Sequence, residues 1–190
     1  MKEKISKLIK DSIEAKQKML LPEQVEAIEK IANSMVTAYR SCKKMVAFGN
    51  GGSASDAQHF VGEMISRFEK DRRALPAIAF TTNTASITSI GNDYSYENIF
   101  SRQVEALVNE GDVVIGISTS GNSPNVIKAI EEAKKLKAVT IGFTGAKDCK
   151  LKKITDICFC APSPVTGRIQ ECHILAIHII CALVEEKLFA

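Results

Sequence analysis

The chain has 190 residues, 45% of them hydrophobic and 25% charged, with a formal net charge of +3. That composition belongs to a folded globular chain with a full core and excludes collagenous, low-complexity and disordered classes. A charge this small, spread along the chain, does not imply nucleic-acid binding, and none is expected; only Lys147 to Lys153 is locally basic, as expected of a solvated helix end.

Helical spacing of Ile5, Leu8, Ile9 and Ile13 predicts a first helix from about Lys2 to Lys18. The spacing of Val25, Ile28, Ile31, Ala32, Met35 and Val36 predicts a second from Pro22 to Cys42, broken from the first at Leu21-Pro22-Glu23. From Met45 the pattern becomes an alternation of short apolar runs and longer amphipathic ones. Strands are predicted at Met45–Phe48, Ala77–Phe80, Val113–Ile117, Val139–Phe143 and Ile157–Cys160. Between and after them fall helices at Ser53–Glu69, near Thr84–Ile90, Ile99–Asn109, Pro124–Lys135 and Ile169–Leu188. This is the signature of an α/β chain with a mostly parallel five-stranded sheet covered on both faces, and it forms one domain over residues 1–190. The N-terminus carries no signal-peptide core, and the apolar run Ile174–Val184, interrupted by His178, is too short to span a bilayer. A cytoplasmic protein without membrane contact is expected. The six cysteines form no CxxC pair and read as small buried hydrophobes.

Two polar turns stand where a strand gives way to a helix, at Gly49-Asn50-Gly51-Gly52-Ser53 and Ser118-Thr119-Ser120-Gly121-Asn122-Ser123. Helix N-termini offer unpaired N–H groups and a positive dipole end, and hydroxyls can hold a phosphate dianion without a lysine. The first turn also fits G-x-G-x-x-G/A with Ala54. Its second strand, however, ends in Phe80-Thr81-Thr82, without the carboxylate that would hold a ribose. No Gly-Lys-Ser/Thr follows either turn, which excludes a P-loop. Ser53 is the expected N-cap of the helix after the first turn.

His59 and Glu63 lie four apart on one helical face, an arrangement that an ordinary side-chain hydrogen bond would also explain. Gln170 and His178 lie eight apart, about 12 Å along an ideal helix, and converge on one ion only if Gln170 reaches forward and His178 leans back. His173 points from another face and reads as structural or as part of an interface. Two phosphate-binding turns with a His/Glu set indicate an enzyme of sugar phosphates.

At these residues the chain resembles the sedoheptulose 7-phosphate isomerases (phosphoheptose isomerases) of the sugar-isomerase, or SIS, superfamily. The segments that carry the resemblance are Gly49 to Ser53 leading to His59 and Glu63, Gly91-Asn92-Asp93, Gly116 to Ser123, and Arg168-Ile169-Gln170-Glu171 with His178. The Ser/Thr loop marks the superfamily; the combined His59/Glu63 and Gln170/His178 sets are more specific. The resemblance implies a flavodoxin-like three-layer fold and conversion of sedoheptulose 7-phosphate into D-glycero-D-manno-heptose 7-phosphate, which opens bacterial heptose synthesis. It implies a homotetramer with active sites between subunits, to which the N-terminal helices (residues 1–43) would contribute. It implies zinc held by His59, Glu63, Gln170 and His178. It also implies substrate contacts from Asn50, Gly51, Gly52, Ser53, Glu63, Asn92, Asp93, Ser118, Thr119, Ser120, Ser123 and Gln170. Where some relatives carry an acidic residue before Arg-Ile-Gln, this chain has Thr166-Gly167. Ketose–aldose isomerisation needs a base and an acid, here assigned to Glu63 and His178. A non-catalytic SIS regulator, an initiator-associated protein of similar shape and an isomerase of another phosphosugar are the alternatives.

Overall fold

In the computed structural model, which describes residues 1–145 and 148–190, five parallel strands form one sheet in the order β2-β1-β3-β4-β5. They are β1 (Met45–Gly49), β2 (Ala77–Ala79), β3 (Val113–Ile117), β4 (Val139–Gly145) and β5 (Ile157–Ala161). The helices are α1 (Lys2–Lys18), α2 (Pro22–Arg40), α3 (Gly52–Ile65), α4 (Thr84–Asp93), α5 (Ser101–Leu107), α6 (Pro124–Lys135), α7 (Lys150–Ile154) and α8 (Thr166–Leu188). Alternation along the strands feeds two cores. Met45, Ala47, Ile115, Ile117 and Phe143 pack under α2, α3 and α8. Val46, Phe48 and Val114 pack on the other face with α5 and α6. The α/β three-layer architecture expected from the sequence is therefore present.

Strands β1 and β3 are neighbours, paired from Met45 with Val113 to Gly49 with Ile117. Yet β1 leads into α3 on one face of the sheet, and β3 into α6 on the other. Such a divergence opens a crevice at the carboxyl ends of the strands, where α/β proteins bind ligands. Both polar turns stand at its rim.

Some boundaries differ from the sequence reading. Helix α3 ends at Ile65 rather than near Glu69 because the N–H groups of Phe68, Glu69 and Lys70 are taken by the Glu185 carboxylate. Ser53 is not the N-cap: Gly51 is, and Ser53 lies buried inside the first turn. The predicted Ile99–Asn109 helix is a 3₁₀ turn at Tyr96–Asn98 followed by α5. Helix α7 was not predicted, since five residues with one buried side chain, Leu151, are too short to show a period. Of the basic stretch, Lys147 lies outside the described residues. Helix α8 is longer than the apolar run suggested, and its 23 residues are apolar enough to cross a membrane. Here it packs instead against α2 and α3 and buries Ile169, Ala176, Ile177, Ile180 and Val184. Ile5, Ile9, Ile13, Leu20, Val25 and Ile179 remain substantially exposed on α1, the α1–α2 turn, α2 and α8.

Candidate active site

The first turn is shaped by glycine. Gly51 has φ +57°, a left-handed conformation that a side chain would strain, and from there α3 begins. A Cβ on Gly52 would come within 2.5 Å of Gln170 Nε2, so with glycine there the amide of α8 rests over the start of α3, and a larger residue would displace it. Asn50 ties the first turn to the start of α6. Its Nδ2 donates to Asn125 Oδ1 at 2.9 Å, and Asn125 Nδ2 donates back to Asn50 Oδ1 at 2.8 Å. The Tyr96 hydroxyl donates to the same Asn50 oxygen at 3.1 Å.

The second turn is a web of hydroxyls. Ser118 Oγ lies 3.0 Å from Ser123 Oγ and 3.4 Å from Ser120 Oγ, and it accepts the Gly121 N–H at 3.1 Å. Ser120 Oγ accepts the Asn122 N–H at 3.2 Å. Pro124, which opens α6, has no N–H, and that of Val126 is taken by Asn125 Oδ1. The donors left to an anion here are the hydroxyls together with the N–H groups of Thr119, Ser120 and Ser123, which have no partner among the described residues. Thr119, Ser120 and Asn122 line a cleft of about 340 Å³ together with Ser163 and Ile169.

On α3 and α8 three of the predicted residues come together. His59 Nε2 stands 2.9 Å from Glu63 Oε1 and 3.4 Å from His178 Nε2. One donor atom from each of the three lies within 4.8 Å of the others. Two ring nitrogens facing each other at this distance need a shared proton or a shared cation to avoid lone-pair repulsion. A tetrahedral ion with bonds of about 2.0–2.1 Å would hold its donors roughly 3.3 Å apart, close to this spacing. Phe68 packs on the His178 ring with centroids 5.5 Å apart.

The fourth sequence-predicted ligand, Gln170, rests at Gly52, two helical turns before His59. Asn92 and Asp93 lie exposed at the end of α4, where Asn92 Nδ2 donates to Asp93 Oδ1 at 2.8 Å. No hydrogen bond among the described residues joins them to the turns or to the triad.

Sequence reasoning missed Asn125, Tyr96 and Asp56. Asn125 follows the Ser/Thr run directly, behind Pro124, and that position at the start of the helix was the legible signal. Asp56 sits one turn before His59, with Oδ2 buried and without a partner. Burial pushes its carboxyl up to about 6, opposed by the nearby His59. His173 is structural, as its separate face suggested. It is buried edge-on to Phe143 and Phe159, with Nε2 3.0 Å from the Thr144 carbonyl. Burial pushes it down to about 4, so it is neutral.

Residues 10–145 match the SIS domain family. Over 190 residues the chain is 52% identical to a phosphoheptose isomerase from Clostridium acetobutylicum, covering 100% of this chain and 97% of that one. A solved phosphoheptose isomerase from Neisseria gonorrhoeae superposes with a TM-score of 0.92 at 41% identity, covering 97% and 98% of the two chains. The sugar isomerase domain of an RpiR transcription factor from Sphaerobacter thermophilus shares the fold, with a TM-score of 0.69 at 17% identity.

Proposed function

Because this chain belongs to the phosphoheptose isomerases of the SIS family, we propose that it converts sedoheptulose 7-phosphate into D-glycero-D-manno-heptose 7-phosphate for heptose biosynthesis. The observation that carries this reading is the convergence of Glu63 and His178, with Glu63 on the helix that the first polar turn opens. A sugar isomerase domain of this fold also occurs in a transcription factor, and a module that only binds a sugar phosphate has no use for an acid–base pair.

In this reading Ser118, Thr119, Ser120 and Ser123 hold the phosphate. Asn50, Gly51, Gly52, Ser53 and Gln170 line the sugar, with Asn92 and Asp93 at its outer edge. Glu63 takes a proton from C1 of the ketose while His178 donates one to O2, giving an enediol between C1 and C2. Returning a proton to C2 and withdrawing one from O1 yields the aldose. Hydrogen-bond donors fixed around the sugar oxygens stabilise the charge that develops between these steps.

Two imidazole nitrogens and a carboxylate oxygen are a donor set that zinc accepts, and we assign His59, Glu63 and His178 to hold it. Gln170 joins them only by swinging its amide away from Gly52. When bound, zinc would supply Lewis-acid polarisation of the carbonyl oxygen. A Glu63 or His178 atom engaged by the ion carries no proton, so the proton transfers require that side chain to be released from it.

We read the chain as one cytoplasmic SIS domain that assembles as a homotetramer. Residues 1–43 form much of the interface, supported by the exposed apolar residues of α1, α2 and α8. Removing residues up to Leu20 should lower the oligomeric state in light scattering and reduce activity; a fully active, stable monomer would refute the assembly. The function itself is tested by incubating the purified protein with sedoheptulose 7-phosphate and following aldose signals by NMR. Binding without aldose formation would move the chain to the regulators.

A further inference from the structure

Arg72 and Glu185 form an ion pair that no part of the proposed chemistry uses. Arg72 Nε donates to Glu185 Oε1 at 2.8 Å, and the two side chains are only 1% and 2% exposed. Burying two charges is costly, and replacing such a pair by apolar side chains is often neutral or stabilising. Stability alone is therefore a poor reason for it.

The partners of the pair give a better one. Nη2 of Arg72 donates to the Glu63 carbonyl at 2.8 Å, and Nη1 to the Met64 carbonyl at 2.8 Å. Both carbonyls belong to the last turn of α3, the turn that carries Glu63, and lack an intrahelical partner; that of Met64 also accepts the Leu75 N–H at 3.0 Å. Glu185 belongs to α8, two helical turns beyond His178. Its two oxygens also accept the N–H groups of Phe68, Glu69 and Lys70 at 2.8–2.9 Å. That turn delivers Phe68 to the His178 ring. Burial would raise the Glu185 carboxyl, but these N–H groups and Arg72 outweigh it and hold it below the usual carboxylate range.

We propose that Arg72 and Glu185 are positioning residues for the isomerase site, locking α3 on α8 so that Glu63 and His178 meet. The pair grips the backbone of one member of the acid–base pair and the ring neighbour of the other. Neither residue reaches the substrate. The inference rests on the assignment of Glu63 and His178 made above.

Two conservative variants test it. Arg72→Lys keeps the charge but loses the fork that reaches two carbonyls at once. Glu185→Gln keeps the shape but turns one acceptor into a donor facing backbone N–H groups. A core variant on the far face of the sheet, Val114→Ala, serves as the control for destabilisation alone. All are assayed at a temperature where circular dichroism reports a folded chain. Turnover of sedoheptulose 7-phosphate is measured alongside binding of zinc alone, by competition with a chromophoric chelator. We expect kcat to fall about tenfold or more with KM within about threefold, since the lost alignment matters chiefly in the transition state. Zinc affinity should fall roughly 10–100-fold, as when outer-shell partners of a metal site are removed. Should neither variant fold, Phe68→Leu leaves the ion pair intact and should still lower kcat and zinc affinity together. Variants that match the Val114→Ala control in kcat and zinc affinity would overturn the proposal. A wild-type protein that binds zinc but makes no aldose would refute the isomerase assignment instead, and the zinc measurements would still decide the brace.

Discussion

The hydroxyls of the second turn come from six consecutive residues, Ser118 to Ser123, whereas His59 and His178 meet across 119 positions of chain. The turn is shaped by its own hydrogen bonds and by the strand before it. The triad exists only because α3 and α8 pack together, and that packing depends on groups well outside it. A local element of this kind tolerates the loss of one contact, because the others stay in place. A site assembled from distant helices shares its fate with everything that fixes those helices.

The widest separation between the two regions is expected in catalysis. Glu63→Gln and His178→Asn should each lose about 10²–10⁴-fold in kcat, the usual worth of general acid–base catalysis, while the folded protein still binds the sugar phosphate. Their combined loss should fall short of the product, because the two act as a unit. Isothermal titration beside steady-state kinetics would separate these effects, and additive losses would break the pairing.

Next comes the packing on which the triad depends. Glu185→Ala leaves Arg72 buried without its partner and three N–H groups without an acceptor. A loss of about 3–5 kcal/mol in urea unfolding is expected. A loss below ~1 kcal/mol would mean that the loop after α3 holds itself.

Acid should weaken the same helix through His173. Its folded pKa of about 4 lies below the ordinary 6.5, so between those values the unfolded chain binds the extra proton. Stability is then complete above pH 6.5 and falls by about 1.4 kcal/mol per pH unit towards pH 4, about 3 kcal/mol in all. A His173→Gln chain should show a flatter profile of urea midpoint against pH in that window. An unchanged slope would assign the acid sensitivity to other groups.

The smallest effects belong to the local turn. Ser120→Ala and Ser123→Ala each remove one neutral hydrogen bond to the phosphate, worth roughly 0.5–1.5 kcal/mol, so KM should rise several-fold with kcat little changed. A collapse of the single-turnover rate at unchanged affinity would contradict the phosphate role.

Much of this contrast also governs what the sequence made legible. The strands and the Ser/Thr turn were readable because alternation and turn chemistry act over a few residues. So was the sharing of one face by His59 and Glu63. The meeting of that face with His178 was not, since helical periodicity says nothing about which helix packs on which; there the family resemblance supplied the link. Gln170 seemed at the limit of its reach, and its amide indeed rests at Gly52 rather than with the triad. Asp56 and the Arg72–Glu185 pair were invisible for the same reason. A charged residue on a helix or loop reads as solvated until a neighbour from elsewhere in the chain covers it.

In the proposed reaction Glu63 moves the C1 proton. Sedoheptulose 7-phosphate incubated with the protein in deuterated water reports this by NMR, through replacement of a C1 hydrogen by solvent deuterium. The wild-type protein should exchange it at a rate commensurate with turnover, and Glu63→Gln should exchange it at least about 100-fold more slowly while still binding the sugar. Exchange at the wild-type rate in Glu63→Gln would contradict the account and leave Glu63 with only a role in holding metal or structure.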